Sequence, residues 1–346
     1  MLGIFLLLPF ACGGLIVLMV RKRAASSRMP GWARLVLGNL LILGLLISAA
    51  LLAGEIYFRF FYDSTDALGY TKVSQRWYQR HWHPNSSDCR DDLNYSLKLE
   101  PGKPRITFIG DSFTAGHGIS EVSDRFANRI RQAHPEWQVH VLAQPGFDTG
   151  NELDYLEGSL KQGYQVDEVV LVYCLNDVAD MFPEWAEKVG WIRGAAEKSN
   201  WLVRNSYCIN TLYYRLSVRR NPAAESYFRY IKEGYGGEYW ERQKARLKAF
   251  RDLVHAHGGR LSVVTFPFMH LVGPNYEYQF AHDELNQLWT DLKVPQLDLL
   301  PIYRDLPVKK ITVSRYDSHP NEFANELAAH AIAEFLRTQM RAKIAQ

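Results

Sequence analysis

Cysteine is scarce in this chain: four residues among 346. That is too few for a disulfide framework to hold a chain of this length, so a hydrophobic core must do so. Basic excess is also absent, because the formal net charge is only +3. Five cations, Arg21, Lys22, Arg23, Arg28 and Arg34, fall in one short stretch, and the remainder is nearly neutral. Nucleic acid is therefore not indicated as a partner. No internal repeat and no low-complexity tract interrupts the chain, which excludes solenoids and disordered arrays.

Long apolar runs are present, and only at the amino-terminal end. Residues 1–20 and 35–54 are uncharged and almost wholly apolar. Each is long enough to cross the roughly 30 Å hydrocarbon layer as a helix. The basic stretch between them holds no acidic residue. The positive-inside rule makes that loop cytoplasmic, so both outer ends face the other side. The first run does not read as a cleaved signal, since cations follow it rather than precede it and no Ala-x-Ala site closes it. Two spans are thus preferred over one span plus a signal-like segment. The aromatic cluster Tyr57-Phe58-Arg59-Phe60-Phe61-Tyr62 suits either a membrane interface or packing against a globular domain.

These readings divide the chain into a membrane anchor (1–56), a juxtamembrane wrapping segment (57–100) and a domain at 101–346. Strand-like runs occur at 106–109, 139–143, 168–173, 261–266 and 295–299. Helical periodicity occurs near 122–134, 150–162, 240–257, 280–292 and 322–340. Strands alternating with helices imply a parallel sheet covered on both faces through right-handed crossovers. The expected fold class is a three-layer α/β/α doubly wound parallel sheet, flavodoxin-like. Gly258-Gly259 is placed to stop the helix that feeds the fourth strand.

Four polar strings follow these elements in order. Gly110-Asp111-Ser112 ends the first strand run, Pro145-Gly146-Phe147-Asp148-Thr149 follows the second, and Cys174-Leu175-Asn176-Asp177 ends the third. Asp317-Ser318-His319-Pro320-Asn321 precedes the last helical stretch. Singly, each reads as a cap or turn. Together, three of them lie beyond the carboxyl ends of strands, where open parallel sheets bind ligands. A serine hydroxyl needs a base to remove its proton, and a histidine needs a group to orient its ring. Ser112, His319 and Asp317 supply that inventory.

The four strings resemble the blocks of the SGNH, or GDSL-like, hydrolases over roughly residues 100–340. The resemblance implies that Ser112 is the nucleophile and His319 the base, with Asp317 orienting it. It further implies an oxyanion hole made by the N–H groups of Ser112 and Gly146 and the side chain of Asn176. The chain departs from the family at Cys174, where a glycine leads the third block. It departs also in the spacing of acid and base, two residues here, whereas many members place the Asp three before the His, at the position of Tyr316. Asp111 and Asp177 are read as supporting residues that hold their turns. Thr114, Gly116 and His117 follow the serine and are read as loop. The Gly-x-Ser-x-Gly elbow of the α/β-hydrolases is absent.

The implied activity is hydrolysis of an O-acyl ester, O-acetyl on a glycan or small molecule, with no metal or organic cofactor. The alternative is an O-acyltransferase that modifies a surface polysaccharide with the same residues, and which would need a separate multi-span acyl-donor partner. A third reading is a silent binding protein that kept the fold. Two regions stand outside the scheme. His81, His83 and Cys89 match no standard zinc spacing. The long insertion at 181–239 is rich in aromatics, among them Trp185, Trp191, Trp201, Tyr213, Tyr227 and Tyr230. It reads as a helical cap with a small core of its own, or as a carbohydrate-facing lid. An extracytoplasmic location would permit Cys89 and Cys208 to pair; sequence fixes no distance between them, and both outcomes stay open.

Overall fold

The computed structural model describes residues 1–22, 30–184, 199–219 and 222–344. They form two compact units. The first comprises Met1–Asp63, Gly69–Arg76 and Ile192–Arg220; the second comprises Ser64–Leu68, Trp77–Trp191 and Asn221–Gln346.

In the first unit the two apolar runs form helices, Leu2–Lys22 and Gly31–Ile56. Both are long and apolar enough to cross a membrane, with mean hydropathy 2.5. They pack on each other where small residues allow it: a side chain at Gly38 would meet Met19, and one at Gly44 would meet Cys12. Residues 23–29, most of the basic loop, lie outside the described residues. After Ile56 the chain widens into a π-helical turn, Tyr57–Phe61. The guanidinium of Arg76 closes that turn by donating to the carbonyls of Phe58 and Arg59. Glu55 is fully buried and accepts from Arg59, from the Ser206 hydroxyl at 2.7 Å and from the Cys208 N–H at 3.0 Å. Part of the expected insertion is therefore bonded into the anchor unit, as the helices Trp201–Asn205 and Tyr207–Arg219. Trp185 and Trp191 lie outside the described residues.

The second unit is built on five parallel strands: β1 (Arg105–Gly110), β2 (Gln138–Ala143), β3 (Glu168–Cys174), β4 (Arg260–Phe266) and β5 (Gln296–Asp298). Their order is β2-β1-β3-β4-β5. β1, β2 and β3 are buried along their whole length, as strands covered on both faces must be. Val170, Leu171, Val263 and Val264 form the middle of the core. The order reverses between β1 and β3, so a crevice opens beyond their carboxyl ends. Helices 126–133, 149–161, 237–256 and 279–291 occupy the expected crossovers, and helix 322–344 follows the last strand. The helix Gly237–Ala256 ends as anticipated, with Gly258 at φ 78°. Gly259 N–H reaches the Val254 carbonyl and Gly258 N–H the His255 carbonyl, both at 3.0 Å, which is a Schellman closure.

One feature departs from the sequence reading, and one question it left open is answered. The string carrying His319, read singly as a cap or turn, forms a strand, β7 (Asp317–Pro320), paired antiparallel with β6 (Thr312–Ser314) and leading directly into the last helix. Asn321 still caps the final helix, accepting from Ala324 N–H at 3.0 Å. Cys89 and Cys208 do not pair, since all four cysteines are free thiols. The Cys89 sulfur rests instead 3.2 Å from the Tyr155 hydroxyl.

The segment after Trp77 has no periodicity because its order comes from buried cations. Arg90 donates to the carbonyls of His81, Gly116, Ile119 and Ser120. Its guanidinium also stacks over Trp77 and Trp82. Asp91, fully buried, receives Arg125 at 3.0 Å, Arg131 at 2.7 Å and the Tyr95 hydroxyl at 2.6 Å. Arg90 thereby fixes the loop 116–120, which borders the site.

Candidate active site

Each polar string falls where the topology requires. Gly110 ends β1, and a side chain there would sit 2.8 Å from the Val172 carbonyl, so only glycine lets the two strands meet. Asp111 caps the short helix Ser112–Ala115 by accepting from Phe113 N–H at 2.8 Å. Gly146, beyond β2, takes φ 84° with open space beside it. Asn176 and Asp177 lie in the 3-10 turn Leu175–Met181 beyond β3. The Asn176 side chain hydrogen-bonds Asp111, and Asp177 accepts from Cys174 N–H at 3.4 Å.

The distant serine, histidine and aspartate meet in one line. Ser112 Oγ is 2.8 Å from His319 Nε2. His319 Nδ1 is 2.5 Å from Asp317 Oδ1. The two-residue spacing works because Oδ1 also accepts the His319 backbone N–H at 3.1 Å. This turn-like bond from an Asp to the residue two further on fixes carboxylate and ring together. With Nδ1 hydrogen-bonded to the carboxylate, Nε2 is left as the acceptor for the serine proton.

Burial and neighbouring charge tune these groups. Burial holds His319 below the usual imidazole range, and nearby His117 pushes it further down, while Asp317 pulls the other way. Burial alone would raise Asp317, but His319 and His117 outweigh it and hold its carboxyl well below the usual range. Asp111 is pushed up to about 6 by burial. Glu152 and Asp177 rise well above the usual carboxylate range, again through burial first and neighbouring carboxylates second. Their side chains leave buried oxygens without a partner, which fits neutral acids.

His117, read from sequence as loop, is part of the site. It is buried, its ring centroid lies 4.2 Å from that of His319, and its Nε2 is 3.2 Å from Asp317 Oδ2. Thr65 also donates to Oδ2, from a position 252 residues away in sequence. Tyr78 Oη meets His117 Nδ1 at 2.6 Å. No motif marks these residues; the signal was only that a histidine and a threonine fall in segments the fold brings to the serine. His117, Asp317 and His319 are also the one group of metal-ligand side chains found together among the described residues. Their ring nitrogens, however, are already engaged by Tyr78, Asp66, Asp317 and Ser112.

A wall beyond β4 completes the surroundings. Phe268 and His270 pack against Phe228 of the helix Pro222–Gly234, with ring centroids 6.1 and 5.5 Å away. Burial lowers His270 to about 4, and His319 adds to the effect.

No protein-family model matches the chain, and no curated protein matches it. Solved structures do. The structure of TesA shares 13% identity over 68% of this chain and 98% of that one, with a TM-score of 0.43. A member of the lipolytic protein G-D-S-L family from Veillonella parvula shares 10% identity over 66% and 96%, with a TM-score of 0.42. An acetyl xylan esterase from Geobacillus stearothermophilus shares 12% over 68% and 95%, also with a TM-score of 0.42. The chain is similar in its parallel α/β fold to these structures.

Proposed function

We propose that the chain is a membrane-anchored serine esterase. The observation that carries this reading is the unbroken line Ser112 Oγ, His319 Nε2, His319 Nδ1, Asp317 Oδ1, with separations of 2.8 and 2.5 Å at its two hydrogen bonds. Ser112 Oγ attacks the ester carbonyl carbon as its proton passes to His319 Nε2. The tetrahedral intermediate collapses, the carbon–oxygen bond to the alcohol breaks, and His319 returns the proton to that oxygen. Water then attacks the acyl-enzyme, again giving its proton to His319. Ser112 leaves with that proton, and the carboxylic acid departs.

Asp317 keeps the tautomer of His319 fixed and stabilises the imidazolium between the two proton transfers. The N–H groups of Ser112 and Gly146 and one N–H of Asn176 receive the oxyanion. An amide has two such donors, and the bond to Asp111 orients the group for this task. The substrate class is an O-acyl ester, with O-acetyl on a glycan as the specific form. The aromatic wall of Phe228, Phe268 and His270 supports a ring-shaped partner for the acyl group. Transfer to a sugar hydroxyl would use the same residues and differ only in the acceptor. The apolar helices and the one-sided charge of Arg21 to Arg34 support a catalytic unit on the side of the membrane away from that loop.

The test is turnover of 4-nitrophenyl acetate by the full chain in detergent. Wild type should release nitrophenol, and Ser112→Ala should abolish release with the fold intact. Equal rates in both would end the serine reading.

A further inference from the structure

We propose that His117 is a positioning residue of the triad: it holds the far oxygen of Asp317 and backs the ring of His319, so the machinery is a His–Asp–His array. The inference rests on the serine-esterase reading and extends it to a residue outside the four polar strings.

The atoms argue as follows. Asp317 has two oxygens, and each is held by two groups. Oδ1 takes His319 Nδ1 at 2.5 Å and the His319 backbone N–H at 3.1 Å. Oδ2 takes the Thr65 hydroxyl and faces His117 Nε2 at 3.2 Å. His117 Nε2 also lies 3.0 Å from the Asp66 carbonyl. Two acceptors converge on this nitrogen, so it carries the proton and donates. A carboxylate held on one oxygen only can swing about its bond to Cβ. Held on both, it presents Oδ1 to His319 in a single orientation.

His117 is itself fixed from behind. The Tyr78 hydroxyl meets Nδ1 at 2.6 Å. It donates to the neutral ring and accepts from the charged one, so it serves both states. Arg90 pins the backbone on either side through Gly116 and Ile119. A buried imidazole satisfied at both nitrogens, its ring tilted and centred 4.2 Å from that of the base, does more than fill space.

The charged and titratable groups around His117 are Asp317 and Asp66, with the tilted His319 ring 4.2 Å away, Tyr78 held neutral by burial, and Arg90 bonded to the carbonyl of the neighbouring Gly116. Burial opposes charge on His117, but Asp317 and Asp66 overcome it and raise its pKa. The pKa of His319 is lowered. On acidification His117 therefore charges first, and its charge resists protonation of His319. The base stays available to lower pH than its triad alone would allow.

The test is the pH dependence of kcat and KM for 4-nitrophenyl acetate with the full chain in detergent. His117→Gln keeps an N–H for Oδ2 and removes the charge. Its acid limb should move to higher pH, and KM should hold. His117→Ala removes both and should lower kcat about 10–100-fold, as loss of groups that orient functional side chains does. Circular dichroism identifies variants that fail to fold; if His117→Ala is one, His117→Gln decides. Superposition of the His117→Gln profile and kcat on wild type would overturn the inference. Turnover surviving in Ser112→Ala would instead bring down the serine reading on which it rests.

Discussion

Asn176 shows how a single side chain links the turn beyond β3 to the chemistry. In the proposed reading its amide, bonded to Asp111, donates to the oxyanion. Asn176→Ala should cut kcat about 10²–10³-fold with little change in KM, the signature of a lost oxyanion donor. A change confined to KM would place Asn176 in ground-state binding instead. At this scale the proposed site residues Ser112, Gly146 and Asn176 stood out as polar strings beyond strand ends, and Asp317 and His319 as an Asp–His string before the last helix. His117, Thr65 and Tyr78 did not. A histidine in a loop carries no pattern, and the contact between Thr65 and Asp317 spans 252 residues.

Elements were legible where apolar runs are long. The five strand runs lie in β1 to β5 with small shifts at the ends; β1 to β4 are almost wholly buried, as continuous apolar runs are, whereas β5 is short and half-buried. The β6–β7 hairpin escaped because Asp-Ser-His-Pro lacks any alternation of apolar residues, and its pairing is short and irregular. The segment 77–100 escaped for a different reason: its order comes from buried ions rather than periodic apolar contacts. Asp91 is the centre of that order, holding Arg125, Arg131 and Tyr95. Asp91→Ala leaves Arg125 buried without its counter-charge. It should cost about 3–5 kcal/mol, read as a lower denaturant midpoint for the second unit. An unchanged midpoint would show that solvent reaches Arg125 in the variant.

At the scale of the whole molecule, the division into units follows neither the strand–helix alternation nor the aromatic content of the insertion. Of the described residues, 199–219 group with the anchor helices, whereas 222–239 belong to the unit that holds the parallel sheet. The reason is chemical. Glu55, near the end of a helix whose one other charge is Arg34 in the first turn, needs donors, and Ser206 and Cys208 supply them. Sequence spacing cannot reveal a bond of that reach. The proposed topology puts Lys161, an exposed residue of the second unit, on the outer side of the membrane. In intact cells Lys161→Cys should react with a membrane-impermeant maleimide beyond the background of the native thiols. Reaction only after lysis would reverse the topology.

The central claim is that Ser112 is a nucleophile driven by His319. The most direct measurement is intact and peptide mass analysis after treatment of the full chain with a fluorophosphonate. The account predicts one adduct per chain, on Ser112, formed rapidly in wild type and lost or greatly slowed in His319→Ala. An adduct on another residue, or none on Ser112 while the ester is still turned over, would contradict it.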